Sequence, residues 1–154
     1  MTYQVKKRNG EIEAFDPTKW ENQLKKVCQG IDEVSAFTIA ATAQAQFKPF
    51  MTTEELDEIA LRSMVNLIDV EKNPIGHTNY QYVAGRQRIT MLRKKVYGSF
   101  TVPHILEIVK KNVEAKLYTP DLLTWYSEEE WDQINSFIDH GKDETYTYAQ
   151  VEQF

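Results

Sequence analysis

The side chains best suited to meeting an anion lie around one turn and at the end of one distant helix. Lys6, Lys7 and Arg8 run into Asn9-Gly10, Lys19 stands one turn inside the segment that follows, and Lys94 sits far down the chain. Cations so placed can hold phosphate oxygens through charge-assisted hydrogen bonds of roughly 1.5 to 3 kcal/mol each. Thr52-Thr53-Glu54-Glu55 opens a further helix, whose first-turn N–H groups and dipole also favour an anion. A run of charge is more often a solvated face than a site, so order and spacing must carry the case.

Other chemistries find little support. His77, His104 and His140 lack the spacing of metal ligands and read as surface or capping residues, and Cys28, the single cysteine, reads as a small buried hydrophobe on a helix face. One thiol forms no intramolecular disulfide and no Cys-rich zinc site, which points to a reducing, cytoplasmic setting. There is no GxxxxGK[ST], GxGxxG or GxSxG signature. The apolar runs are short and broken by charge, so neither a signal peptide nor a membrane span is expected. A formal net charge of −5 over 154 residues argues against a general nucleic-acid binder, because such binding is driven by neutralising many phosphates. With 42% hydrophobic residues, the chain can build a core without staples.

The elements that must position these groups are mostly helices. Tyr3 to Lys7 and Glu11 to Phe15 read as a hairpin around a two-residue Asn9-Gly10 turn. Asp16-Pro17 caps and opens a first helix with Trp20, Leu24, Val27 and Cys28 inward, stopped by Gly30. A second helix is expected over Val34 to Phe47, with Phe37, Ala40, Ala41 and Ala45 inward. The third has a capping box at Thr52 and the face Leu56, Ile59, Ala60, Ser63, Met64 and Leu67. Residues 69 to 78 form a loop; a fourth helix then runs to Tyr97, apolar on two sides and largely buried. After Gly98 follow a helix opened by Pro103, a turn at Pro120, and a helix capped by Ser127 with Trp131, Ile134, Phe137 and Ile138 inward. The abrupt aromatic ending, TYTYAQVEQF, predicts that the chain is part of a longer one.

Val5-Lys6-Lys7-Arg8-Asn9-Gly10, then Glu13, then Phe15-Asp16-Pro17-Thr18-Lys19, the Thr52-Thr53 helix, Tyr80 to Arg86 and Leu92 to Gly98 resemble an ATP-cone. More closely, they resemble the start of the large subunit of a class I ribonucleoside-diphosphate reductase of bacterial and phage type. The similarity continues through Tyr118 to Leu123, Tyr126 to Glu130, Phe137 to His140 and Thr147-Tyr148. The resemblance implies a mainly α fold in which a small N-terminal β-hairpin covers a four-helix bundle, with the cone over residues 1–98 and helices of the reductase body over 99–154. It implies an overall-activity site where ATP or dATP, with Mg²⁺ accompanying the triphosphate, acts as allosteric effector, and no catalytic cofactor. Position by position, Val5, Lys7, Arg8, Glu13, Asp16 and Lys19 would line the base and ribose side, some reaching phosphates, and Thr53 and Lys94 would hold the triphosphate. The implied partners are the rest of the α subunit, the radical-generating β subunit and a second cone, with neither nucleic acid nor membrane. The catalytic cysteines of such an enzyme lie outside these residues, so the piece alone would be inactive.

Three departures stand out. Asp57 occupies the position where many dATP-inhibited members carry histidine, which places a carboxylate near the expected ribose and phosphates and weakens binding or the inhibitory response. The loop before Tyr80 is longer by Ile75-Gly76-His77-Thr78, and Asn9 replaces the usual aspartate. The competing reading is a cone that has lost its nucleotide and serves as a subunit-interaction domain. A cone-containing repressor would need a zinc ribbon ahead of residue 3.

Overall fold

The computed structural model describes residues 3–71 and 74–153; Lys72 and Asn73 of the expected loop, and the terminal Phe154, lie outside the described residues. The chain forms two compact units, Met1–Met91 together with Asp143–Phe154, and Leu92–Lys142. Residues 143–153, expected among the helices after residue 98, therefore fold with the first unit.

In the first unit, β1 (Gln4–Lys6) and β2 (Ile12–Ala14) pair antiparallel, Val5 opposite Glu13. The turn between them is wider than the two-residue form expected. Gly10 N–H donates to Lys7 O at 3.0 Å and Lys7 N–H to Glu11 O at 2.8 Å, and Gly10 takes φ +91°. Asn9 keeps a negative φ and instead accepts Glu11 N–H on its side-chain oxygen at 3.1 Å, so only the glycine supplies the left-handed step.

Asp16 caps α1 (Pro17–Cys28) by accepting Lys19 N–H at 3.1 Å, and Trp20, Leu24 and Val27 are buried. α2 (Ala36–Gln44) is shorter than expected, because Ser35 caps it at 3.2 Å from Thr38 N–H. Its buried side is also different: Ile39, Ala40 and Ala43 face the core, whereas Phe37 is 82% exposed and Ala41 and Ala45 are exposed. A helix that is apolar nearly all round does not encode which face its neighbours take. Next comes an unexpected strand, β3 (Phe50–Thr52), parallel to β1 in the sheet order β2-β1-β3. α3 (Thr53–Asn66) follows directly, with the expected capping box and the expected inward face.

α4 (Tyr80–Tyr97) gives residues 80–91 to this unit. Tyr80, Val83, Ala84, Gly85 and Gln87 are buried, but Tyr82, Leu92 and Val96 are exposed, so the helix buries one side and not two. The core joins Val5, Leu24, Ile39, Met51, Met64 and Val83, and Tyr3, Phe15, Trp20 and Phe47 stack edge-to-face beside it with ring centres 5.2 to 6.4 Å apart.

In the second unit, α5 (Ile105–Glu114) is capped by His104, whose Nδ1 accepts Leu106 N–H at 3.2 Å; the helix therefore starts after Pro103. A 3₁₀ turn at Pro120–Thr124 leads to α6 (Glu128–Ser136), which has the capping box expected of Ser127 and Glu130. Val109 and Trp131 are buried, but Phe137 is 86% exposed, because α6 has ended and its cap turns that ring outward.

The chain returns to the first unit through residues 143–153 and a short helix, α7 (Tyr148–Val151), which opens with a Thr147–Gln150 capping box. Its approach needs Gly85: a Cβ there would lie 2.2 Å from Tyr146 O. Arg86 donates through Nε to Glu144 O at 3.3 Å and through Nη1 to Gln29 O at 2.6 Å, and Arg88 pairs with Glu152 at 2.5 Å. Among the described residues no helix is long and apolar enough to cross a membrane, and no cluster of His, Cys, Asp and Glu could hold a metal ion.

Candidate functional site

The wide turn after β1 lifts Lys7 and Arg8 to the end of the hairpin, and both meet carboxylates. Lys7 Nζ lies 2.7 Å from Glu13 Oε2 and 3.7 Å from Glu11 Oε2, and Lys19 Nζ lies 4.0 Å from Glu13 Oε1. Glu13 thus stands between a hairpin cation and a cation of α1. The hydrogen bond to Glu13 holds the Lys7 ammonium above its ordinary pKa. Glu11 is held below the ordinary carboxylate value, first by the Asn9 amide and then by Lys7. Arg8 reaches Glu54 at 3.4 Å, which ties the tip of the hairpin to the start of α3. Exposed ion pairs of this kind are weak, so they orient the cations while leaving them exchangeable for a stronger anion.

At the start of α3, Thr52 Oγ1 accepts Glu55 N–H at 3.1 Å and Glu55 Oε2 accepts Thr52 N–H at 2.8 Å. Thr53 is the first helical residue, in the turn whose N–H groups lack intrahelical acceptors. One turn further, Asp57 is only 4% exposed, and its Oδ1 accepts Gln23 Nε2 at 3.0 Å. The carboxylate is therefore engaged by amide donors inside the unit and is not a bare charge on its surface.

Of the residues singled out by sequence, Val5, Lys7, Arg8, Glu13, Asp16, Lys19, Thr53 and Asp57 belong to the first unit. Val5 turns its side chain into the core, and Asp16 is committed to capping α1. Lys94 belongs to the second unit, where its ammonium lies 4.5 Å over the Phe100 ring. Glu11, Glu54, Gln23 and Gln87 were not anticipated. Gln23 could have been, since it stands four residues after Lys19 on the same helix face. Gln87 is legible only as a polar residue in an otherwise buried stretch of α4.

A small sheet capped onto helices, with cations at the hairpin mouth and a capped helix start beside them, defines a known class: the chain belongs to the ATP cone domain family, which matches residues 3–95. The ATP cone is a nucleotide-binding allosteric domain. Over 149 residues, 97% of its length, the chain is 35% identical to the ribonucleoside-diphosphate reductase subunit alpha of Haemophilus influenzae. It is 35% identical to ribonucleoside-diphosphate reductase 1 subunit alpha of Escherichia coli strain K12 and 32% identical to subunit alpha of Enterobacteria phage T4, again over 149 residues. It spans 19% of the length of each of these relatives.

Proposed function

We propose that the chain is the overall-activity module of a ribonucleoside-diphosphate reductase α subunit, binding ATP or dATP as an effector and controlling subunit association. Lys7, Arg8 and Lys19 supply the charge for the phosphates, Thr53 and the first-turn N–H groups of α3 supply donors, Glu13 and the hairpin backbone meet the base, and Asp57 faces the sugar. Mg²⁺ would accompany the triphosphate. In this reading residues 1–98 form the cone and 99–154 the first part of the reductase body. Its partners are the rest of the α chain, the radical-generating β subunit and a second cone. The observation that carries the reading is the tie between hairpin tip and helix start, Arg8 to Glu54, which brings the hairpin cations and the first turn of α3 to one side of the unit. Isothermal calorimetry with ATP and with dATP tests it; no heat from either at high micromolar concentration would sink it.

A second reading draws on a specific observation: Lys7, Lys19 and Arg8 are each already paired with a carboxylate. A cone whose cations are so occupied could serve as an interaction domain without nucleotide. The same titration separates the two, since only the first reading requires phosphate to displace Glu13 and Glu54.

A further inference from the structure

Three polar side chains from three helices meet in the interior of the first unit. Gln23 of α1 donates to Asp57 Oδ1 at 3.0 Å, and Gln87 of α4 donates to the same oxygen at 3.5 Å and to Asp57 O at 3.4 Å. Gln87 has no exposed surface. The group has a definite place relative to the candidate site. Gln23 is four residues beyond Lys19 and Asp57 four beyond Thr53, so each lies one helical turn along the face that carries a rim residue. The two faces are joined at that depth by the Gln23–Asp57 hydrogen bond.

Gln87 is an expensive residue to keep there. Its Oε1 is buried and has no hydrogen-bond partner, and an unsatisfied buried acceptor forfeits its hydration. Rotating the amide would bring no relief, because the carbonyl would then point at the two Asp57 oxygens that the NH₂ group now serves. A methionine would occupy similar volume without the orphaned carbonyl. What Gln87 gains in return for the orphaned carbonyl is its hold on the buried Asp57.

We propose that Gln23 and Gln87 are positioning residues for Asp57. Their amide groups, fixed by α1 and α4, hold the carboxylate one turn below Thr53 in the orientation that accepts a hydrogen bond from the sugar of the bound nucleotide. Acidic side chains recognise nucleoside hydroxyls in this way in other nucleotide folds. Asp57 touches the ligand; Gln87, fully enclosed, acts only through Asp57. The inference rests on the nucleotide-binding reading above and deepens it.

The test is calorimetric titration of ATP into the 154-residue chain and its Gln87→Met, Asp57→Asn and doubly substituted forms, each paired with a thermal melt. Gln87→Met should weaken ATP about three- to tenfold, the weight of one hydrogen bond, while its melting temperature holds or rises. In the Asp57→Asn background the same substitution should change the dissociation constant less than twofold. Wild-type affinity in Gln87→Met overturns the positioning role, as does a parallel fall of affinity and melting temperature, or an undiminished loss in the Asp57→Asn background. Absence of ATP binding by the wild-type chain overturns this inference together with the nucleotide-binding reading, whereas intact wild-type binding with an unaffected Gln87→Met form overturns the inference alone.

Discussion

Lys7 Nζ and Glu13 Oε2 stand 2.7 Å apart across the mouth of the hairpin, with Lys19 on the other oxygen of the same carboxylate. One acid thus holds two cations in place for an incoming anion. Replacing Lys7 by alanine should weaken ATP binding about ten- to a hundredfold in a calorimetric titration. An unchanged dissociation constant would remove Lys7 from the site.

The same pairing sets a pH dependence. Because Glu13 raises the Lys7 ammonium above its ordinary value, the cation persists through the usual working range, and its contact is lost only as pH rises through that raised value. ATP affinity should therefore stay flat between about pH 7.5 and 8.5, well below the ordinary lysine range. Glu11 has the opposite sign: its contribution is present above the ordinary carboxylate value and fades as pH falls through its lowered one. Carboxyl resonances followed by NMR during an acid titration should show Glu11 as one of the late-protonating side chains.

Gly85 offers a test of the returning segment. Alanine there would put its Cβ 2.2 Å from Tyr146 O, against backbone that has no rotamer to give. The expected cost is about 1 to 3 kcal/mol in urea unfolding, with faster proteolysis within residues 143–153. Wild-type stability and cleavage would show that the segment yields freely.

Cys28 should be chemically quiet. Burial pushes its thiol up to about 11, with Arg86 opposing only in part. Alkylation by iodoacetamide, followed by mass, should be slow at pH 8 and climb steeply only toward the top of the alkaline range. The sign for stability follows: the folded protein is favoured while the thiol is protonated, and that advantage drains as pH rises from the ordinary thiol value through about 11.

Much of the fold could be read from local chemistry. The caps at Asp16, Thr52 and Ser127 were legible because a cap is a short-range bargain between a side chain and the next turn's N–H groups. The inner face of α3 was legible because its polar and apolar residues alternate with a clear helical period. β3 was not, since three residues that run from Pro49 into a cap have no period to show and their partner strand lies at the other end of two helices. Phe37 and Phe137 misled for a related reason: spacing reveals a possible inner face, while neighbours decide which face is used. At the site, the cations announced themselves by type, but Glu54 and Gln87 reached their places through tertiary packing alone.

The parallel pairing of β1 with β3 also has a kinetic meaning. Gln4 meets Phe50 only after the chain has passed through α1 and α2 and closed that long loop, a step whose entropy must be met before any strand contact repays it. The residues that follow these two strands, Lys7 and Arg8 after one and Thr53 after the other, therefore come together late and together. An isolated hairpin peptide would lack the second half of the site, and a bound effector would act as a clasp on this long-range pairing, lengthening the lifetime of the closed sheet more than it speeds its assembly.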